Sequence, residues 1–296
     1  MRDVRRDLSH YEPTRKSVTS APAPIDYALS RSWLLVNGAR PEGFADATAS
    51  EADQLIFDLE DAVAPARKPT ARDAVADWLD RPGNTGWVRL NDAETEFWSD
   101  DIARLRSCNG LRGVILAKVE SATHVTDTIA AFGGRVDVIA LVESALGIEE
   151  ATTIARAGTV RLAFGSGDYR RDTGTAATDL AMAYARSRLT NSSRVAKLPN
   201  PIDGPTPGPN LDLLRTQTAA ARATGMTGRL CLFGEQARVV NEAMSPTSAD
   251  VDWARGFLAD FARAGGEVRD GSDKPRLHEA DRITRLASAY GVTAGV

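Results

Sequence analysis

At 296 residues and 43% hydrophobic, the chain is long enough to bury a full core as one large domain, and two domains are not required. A net charge of −4 with acids and bases interspersed offers no electrostatic footprint for nucleic acid or an anionic membrane. No run approaches the ~18–20 uninterrupted apolar residues of a membrane span, the N-terminus has no apolar signal core, and Cys108 and Cys231 form neither a CxxC nor a zinc spacing, so a reduced, cytoplasmic protein is expected.

Residues 1–30 are polar, mix Arg2, Arg5, Arg6, Arg15 and Lys16 with acids, and read as a mobile or surface-wrapping arm. Apolar runs bounded by Gly, Pro and polar clusters then give candidate strands at Trp33–Val36, Leu55–Asp58, Trp87–Leu90, Val114–Ala117, Val138–Val142, Arg161–Phe164, around Lys197–Ile202, and Leu230–Phe233. Helical patterns alternate with them at Pro41–Ser50, Thr70–Trp78, Ser121–Phe132, Ile148–Ala157, Ala176–Arg194, Leu211–Ala223 and Gln236–Met244. Such alternation implies a parallel sheet, and about eight strands fit a TIM (β/α)8 barrel over residues 31–246 better than an open doubly wound sheet. Residues 247–296 add two surplus helices, Trp253–Ala264 and Leu277–Ala289, read as an extension at a subunit interface. The proline-rich run from Pro199 to Pro209 reads as a long loop on the active face or as a simple connector.

Chemistry concentrates where strands end, as a parallel barrel requires. Gln54-Leu-Ile-Phe-Asp-Leu-Glu-Asp runs an apolar strand straight into Asp58, Glu60 and Asp61, an arrangement that is costly beside a core unless a cation, a proton or a basic group is held there. The following ends present Arg89, Lys118 and Glu143, and the loop after the sixth strand presents Asp168. Glu143 and Asp168 fall on consecutive units with no imidazole or thiolate nearby, and hard oxygen ligands with an open face suit Mg2+ or Mn2+. Each acid alone can equally cap a helix or pair with an arginine. Arg89 can clamp a carboxylate through its planar fork, pair with the Asp58, Glu60 and Asp61 group, or do both. Lys118 reads as an ion-pair lysine ahead of a Schiff-base lysine. His10, His124 and His278 are isolated, and Gly165-Ser-Gly-Asp matches neither a phosphate loop nor a nucleophile elbow.

The segments Arg31-Ser-Trp-Leu-Leu-Val-Asn-Gly-Ala-Arg-Pro-Glu, Phe57-Asp-Leu-Glu-Asp-Ala-Val, Trp87-Val-Arg-Leu-Asn, Ala117-Lys-Val-Glu-Ser-Ala, Ala140-Leu-Val-Glu-Ser-Ala and Phe164-Gly-Ser-Gly-Asp, followed by Pro201-Ile-Asp-Gly and Gly225-Met-Thr-Gly-Arg-Leu-Cys, resemble the citrate lyase β-subunit-like group of the HpcH/HpaI aldolase family, in the family's order. The resemblance spans roughly Arg31 to Ala289. It implies a Mg2+-binding barrel that cleaves or forms a carbon–carbon bond in 3-hydroxyacyl-thioesters such as citryl, malyl or citramalyl thioesters, with coenzyme A as part of the substrate. It further implies Glu143 and Asp168 as metal ligands, Arg89 as the clamp for a keto-acid carboxylate, and Glu60 and Asp61 as catalytic-site acids holding Arg89 and metal-bound waters.

Family members complete the site across a homotrimer interface with an aspartate in an Asp-Gly…Asp-x-Pro motif. The run Asp270-Gly-Ser-Asp273-Lys-Pro resembles a shortened version, which makes Asp273 the candidate acid or base. Arg67, Lys68 and Arg72 are candidate phosphate contacts for the coenzyme. Gly43, Asp46 and Phe233-Gly234 depart from the family pattern where basic or shape-setting residues near the thioester arm are usual. The alternatives are an aldolase for free 2-oxo or hydroxy acids without coenzyme A, and a catalytically silent paralogue acting as an assembly or regulatory subunit.

Overall fold

The computed structural model describes residues 25–268 and 270–295; of the arm read at residues 1–30, residues 1–24 lie outside the described residues. Eight parallel strands close a barrel in sequence order: β1 (Ser32–Asn37), β2 (Gln54–Asp58), β3 (Gly86–Leu90), β4 (Leu111–Leu116), β5 (Asp137–Val142), β6 (Arg161–Phe164), β7 (Ile202–Asp203) and β8 (Gly228–Cys231), with β8 pairing back to β1. Around it, in chain order, run α1 (Phe44–Thr48), α2 (Lys68–Leu79), α3 (Glu96–Leu105), α4 (Ala122–Ala131), α5 (Ala145–Glu149), α6 (Ala151–Ala155), α7 (Ser166–Thr173), α8 (Asp179–Val195), α9 (Leu211–Ala223) and α10 (Gly234–Met244). The open-sheet alternative is excluded by the β1–β8 pairing.

Alternation along each strand separates two cores. Leu34, Val36, Phe57, Val88, Val114, Leu116, Val138 and Leu162 point outward and pack under the helices. Trp33, Ile56, Trp87, Ile115, Ile139, Ala163, Ile202 and Leu230 fill the interior, where the Trp33 and Trp87 rings meet edge to face at 5.4 Å. The inward set continues upward through Asp58 and Arg89, paired across β2 and β3, so the same two-residue period that builds the apolar plug delivers charged groups to its top. Gly113 is required here: a Cβ would stand 2.3 Å from the Trp87 ring.

The lower end of the barrel is closed by Arg161, fully buried, donating from Nε to the Asn200 carbonyl at 2.8 Å, from Nη1 to the Tyr27 and Ser30 carbonyls at 2.6 and 3.0 Å, and from Nη2 to Thr227 Oγ1 at 3.0 Å. Burial pulls its pKa down to about 10.

Several elements differ from the reading of the sequence, and the helix expected at Ile148–Ala157 is split into α5 and α6. Helix α3 was not expected; its signal is Trp98, Ile102 and Leu105 at helical spacing. Helix α7 replaces an expected loop and carries Asp168 in its first turn, where the helix dipole favours an acid. The seventh strand is two residues, not six, because Lys197 turns left-handed (φ 61) and Pro199 and Pro201 lack donors. The eighth ends at Cys231 because the Leu232 and Phe233 N–H groups bond Gln236 Oε1, at 2.8 and 3.4 Å, and begin α10.

The last two helices, α11 (Ser248–Arg263) and α12 (Asp273–Tyr290), pack on each other through Val251, Ala254 and Phe257 against Ala280, Ile283 and Ala287. The end of α12 is tied to the start of β1. Tyr290 donates its hydroxyl hydrogen to the Leu29 carbonyl at 2.7 Å, and Arg31 lies 4.0 Å over its ring. No helix among the described residues is long and apolar enough to cross a membrane.

Candidate active site at the carboxyl ends of the strands

Arg89 rises inside the barrel and gives the edge of its guanidinium to Asp58, Nε to Oδ1 and Nη2 to Oδ2, both at 2.7 Å. Its Nη1 faces Glu60 Oε2 at 3.2 Å. Asp58 and Glu60 are buried, so these are charge-assisted contacts in a low-dielectric setting and hold the arginine in one orientation. Despite the cost of burial, Asp58, Glu60 and Glu143 hold the Arg89 pKa above its ordinary value. Both sequence readings of Arg89 bear on this geometry: its pairing with the strand-two acids is formed, and two of its five N–H bonds are committed to Asp58.

Lys118 follows β4 with a left-handed backbone (φ 51), rare for a side-chain-bearing residue. That turn aims its N–H at Glu143 Oε1, 2.8 Å away, and sends its ammonium to Glu60 Oε1 at 2.7 Å and Asp61 Oδ1 at 3.4 Å. Burial opposes its charge, yet Glu60, Asp61 and Glu143 hold its pKa above the usual lysine value. The structure thus holds the Lys118 ammonium in ion pairs with Glu60 and Asp61. Burial in turn pushes the Glu60 carboxyl up against the pull of Arg89.

Glu143 ends the inward row of β5 and is buried. Its carboxylate lies across Gly165, where a Cβ would stand 2.1 Å from Oε2, so glycine is what admits it. Burial drives its pKa up to about 8, against Arg89 and the Lys118 N–H and reinforced by Asp168 and Glu60. Asp168, reaching in from α7, lines the same cleft of about 460 Å³ and is also paired with the exposed Arg171 at 3.1 Å. The two carboxylates repel one another, one is desolvated, and a divalent cation between them would relieve both costs. Among the described residues no group of three or more Asp, Glu, His or Cys forms a metal cage. Two carboxylates and an open cleft are the donor set of Mg2+, which keeps water or substrate oxygens at its other positions. The residues therefore fit that cation.

The remaining candidates are placed elsewhere. Lys68 is buried and donates to the Leu59 and Glu60 carbonyls and to Asn91 Oδ1, at 2.7, 2.9 and 2.5 Å. Arg72 is buried on Asp101 at 2.8 Å, and that carboxylate also receives Asn91 Nδ2 at 2.7 Å. Both cations brace the β2 and β3 ends from behind, with these bonds made inside the chain. Arg67 is exposed and bonds the Ala39 carbonyl at 2.8 Å. Asp273 opens α12, is 1% exposed, and does not line the cleft, so within one chain it does not join Glu143 and Asp168.

The sequence reading missed several residues of this face. The cleft wall adds Asp92, Glu94, Glu120, His124, Ser144 and Asp172. Ser144 caps α5 and donates to Glu120 Oε1 at 2.5 Å. Below the proline-rich loop, Asp203 is buried between Arg186, bidentate at 3.1 Å, and Arg229, at 2.5 Å, and Arg229 Nη2 holds Thr206 Oγ1 at 2.8 Å. The visible signal was an aspartate ending strand seven in Pro201-Ile-Asp-Gly.

Comparison with known proteins gives concordant matches. The model of the HpcH/HpaI aldolase/citrate lyase family matches residues 31–232, and that of the HpcH/HpaI aldolase C-terminal domain matches residues 249–291. The citrate lyase subunit beta-like protein of Mycobacterium tuberculosis is 32% identical over 277 residues, 88% of this chain and 96% of that protein. The L-malyl-CoA/beta-methylmalyl-CoA lyase of Rhodobacter capsulatus is 29% identical over 315 residues, 91% and 97% of the two chains. Among solved structures, CitE from Mycobacterium tuberculosis in complex with magnesium, acetoacetate and coenzyme A superposes with a TM-score of 0.74 at 31% identity, covering 88% of this chain and 99% of that one.

Proposed function

We propose that the chain, which belongs to the HpcH/HpaI aldolase/citrate lyase family, is a Mg2+-dependent carbon–carbon lyase, or the condensing enzyme for the reverse reaction, acting on a 3-hydroxyacyl-thioester of the citryl, malyl or citramalyl type. The observation that carries it is the pairing of buried Glu143 with Asp168 in one cleft beside an arginine held rigid by Asp58. Coenzyme A enters as the substrate's thioester carrier, supported by the ligands of the Mycobacterium tuberculosis relative.

Glu143 and Asp168 would hold the cation, with Gly165 leaving room for the Glu143 carboxylate. Bound Mg2+ supplies Lewis-acid polarisation of the reacting oxygen. Arg89 presents the N–H groups not spent on Asp58 to the substrate carboxylate, and its fixed orientation spares the entropy of ordering it during the reaction. Glu60 and Asp61 hold Lys118 at the mouth, adding a fixed positive charge beside an anionic substrate. In cleavage the substrate hydroxyl loses its proton and becomes the carbonyl of a 2-oxo acid. The electron pair of the broken bond passes to the carbon next to the thioester, which leaves as its enolate and is then protonated.

A second reading, an aldolase for free 2-oxo or hydroxy acids, is favoured by the charge of the face itself. Asp92, Glu94, Glu120 and Asp172 line the cleft, Asp46 and Gly43 stand at the surface, and Lys68 and Arg72 are occupied internally, which leaves few cations for a polyphosphate arm. One screen separates the readings: release of glyoxylate, pyruvate or oxaloacetate from hydroxyacyl-thioesters and from the matched free acids, with Mg2+ and with chelator. Thioester cleavage that chelation abolishes supports the first. Equal turnover of free acids supports the second, and no metal-dependent turnover of any of them leaves only a non-catalytic role in assembly or regulation.

A further inference from the structure

The face opposite the catalytic one holds a second cleft, of about 580 Å³, between the amino-terminal end of the barrel and α12. Its volume falls within the roughly 300–1,000 Å³ usual for small-molecule sites. Helix α12 has two working faces. Ala280, Ile283 and Ala287 are buried against α11, whereas His278, Arg282 and Arg285, spaced four and three apart, turn toward the cleft. The barrel side answers with more positive charge, Arg194 at the end of α8 and Arg222 at the end of α9.

Two surfaces of like charge facing each other across a cleft repel, and the neutralisation visible around them is incomplete. Glu279 takes Arg282 at 2.6 Å, and Asp250 lies in an adjoining small cavity beside Arg222 and Arg282. Arg222 also gives one bond to the Ala243 carbonyl, at 3.2 Å, where α10 is ending, and this is ordinary helix capping. Neither explanation reaches Arg194 or Arg285. Both side chains are exposed, have no hydrogen-bond or ion-pair partner among the described residues, and stand on opposite walls, and no carboxylate lines the cleft. The rest of the lining is mostly apolar or aromatic, with Met226, Met244, Leu286 and Tyr290, and includes the polar Asn200 and Thr227.

We propose that this cleft is a second ligand site, separate from the catalytic one, for an organic diphosphate of the nucleotide type. The phosphoryl groups bridge Arg194 and Arg222 on the barrel to Arg285 on α12, matching the fork geometry of guanidinium to phosphate oxygens, and the organic body lies along Leu286 and Tyr290. Because Tyr290 and Arg31 join α12 to the start of β1, a ligand here fastens the C-terminal helix pair to the barrel.

The test is calorimetric titration of the full-length protein with ADP, pyrophosphate and adenosine, in low salt with EDTA so that divalent cations play no part. ADP is expected to bind tighter than either fragment, and Arg194→Ala and Arg285→Ala, both at exposed positions, are expected to weaken it at least tenfold each while Arg89→Ala leaves it unchanged. Absence of saturable ADP or pyrophosphate binding up to millimolar concentration overturns the proposal. So does ADP binding that survives the Arg194→Ala/Arg285→Ala double variant or that is lost in Arg89→Ala, since the ligand would then sit elsewhere or on the catalytic face.

Discussion

The two ends of this barrel are both charged, and they use charge in opposite ways. At the carboxyl ends of the strands, acids outnumber bases in the cleft, the one deeply placed arginine is bound on two sides by carboxylates, and Glu143 is held in an environment that penalises its ionised form. At the amino-terminal end, Arg161 is enclosed almost entirely by carbonyl oxygens, with no carboxylate bonded to it among the described residues, and the groove beyond is lined by arginines. A buried cation on carbonyls is a closure: all its bonds are made and nothing further is asked of it. A buried carboxylate beside a second carboxylate is unfinished, and a divalent cation between them would finish it. The lower end therefore stabilises, and the upper end stores unfavourable electrostatics for use in binding.

The largest effect that would sharpen this contrast is expected from Glu143→Gln. The amide keeps the shape but supplies no charge, so Mg2+ affinity should fall at least a hundredfold and turnover about a thousandfold, or ~4 kcal/mol. The metal-free fold should lose nothing. The Glu143 pKa is about 8 folded against the usual 4.5, so between those values the folded state binds the proton more tightly than the unfolded chain, and stability from this group falls as pH rises through that window. In the substituted protein the melting temperature should lose that downward slope. Metal must displace the same proton, so in the unsubstituted protein Mg2+ affinity should rise by about tenfold per pH unit toward pH 8 and then level off. Calorimetry across pH 6–9 reads both, and a flat affinity profile would remove Glu143 from the metal site.

Next in size is Arg89→Lys. An ammonium cannot make the two parallel bonds to Asp58, and the shorter chain leaves Glu60 without its partner, so kcat/KM should drop about a hundredfold, ~2.7 kcal/mol, with charge conserved. Most of the loss belongs in kcat if the arginine is a positioned clamp. A lysine variant with unchanged kinetics would mean that any cation suffices there.

Arg161→Met tests the other end. It should cost about 3 kcal/mol of stability, because the Tyr27, Ser30 and Asn200 carbonyls lose their donor in a place water cannot easily reach. Turnover per folded molecule should stay within about twofold, since on this fold the lower face contributes stability rather than chemistry. Chemical denaturation alongside initial rates separates the two, and a large kcat effect at unchanged stability would break the division between the ends.

How much of this was legible follows from which contacts are local in pattern. The barrel, and the placement of Arg89 and Glu143 at its upper rim, follow from a two-residue period that continues through the strand into its charged end, and a period can be read along one strand. Asp168 was read onto the right unit but into a loop, because Ser166–Thr173 is short and polar and shows little helical patterning. The Asp203, Arg186 and Arg229 cluster and the Arg161 closure escaped because their partners lie 17 to 134 residues apart and no local pattern announces them. The burial of Lys68 and Arg72 was hidden for a related reason: exposed and buried cations look alike in a sequence, and their partners are Asn91 just after β3 and Asp101 on the unforeseen α3.

The smallest expected effect concerns Asp273, where sequence resemblance and geometry point in different directions. The motif suggests an acid or base delivered to a neighbouring chain, whereas the structure encloses the side chain at the first turn of α12, where a carboxylate stabilises a helix through its dipole. Asp273→Asn keeps the size and removes the charge, so a loss of about 0.5–1 kcal/mol in stability with turnover within a fewfold of the parent is expected. If turnover instead collapses, mixing Asp273→Ala with Glu143→Gln under verified subunit exchange identifies the geometry. A site built from Glu143 of one chain and Asp273 of the next is intact in about a quarter of random pairings, so activity returns to about that fraction. A site that needs both groups on one chain returns none. Recovery would show that assembly draws Asp273 out of its own chain and onto the acidic face of another, which would make the upper end of the barrel a property of the oligomer and leave only the lower end to the single chain.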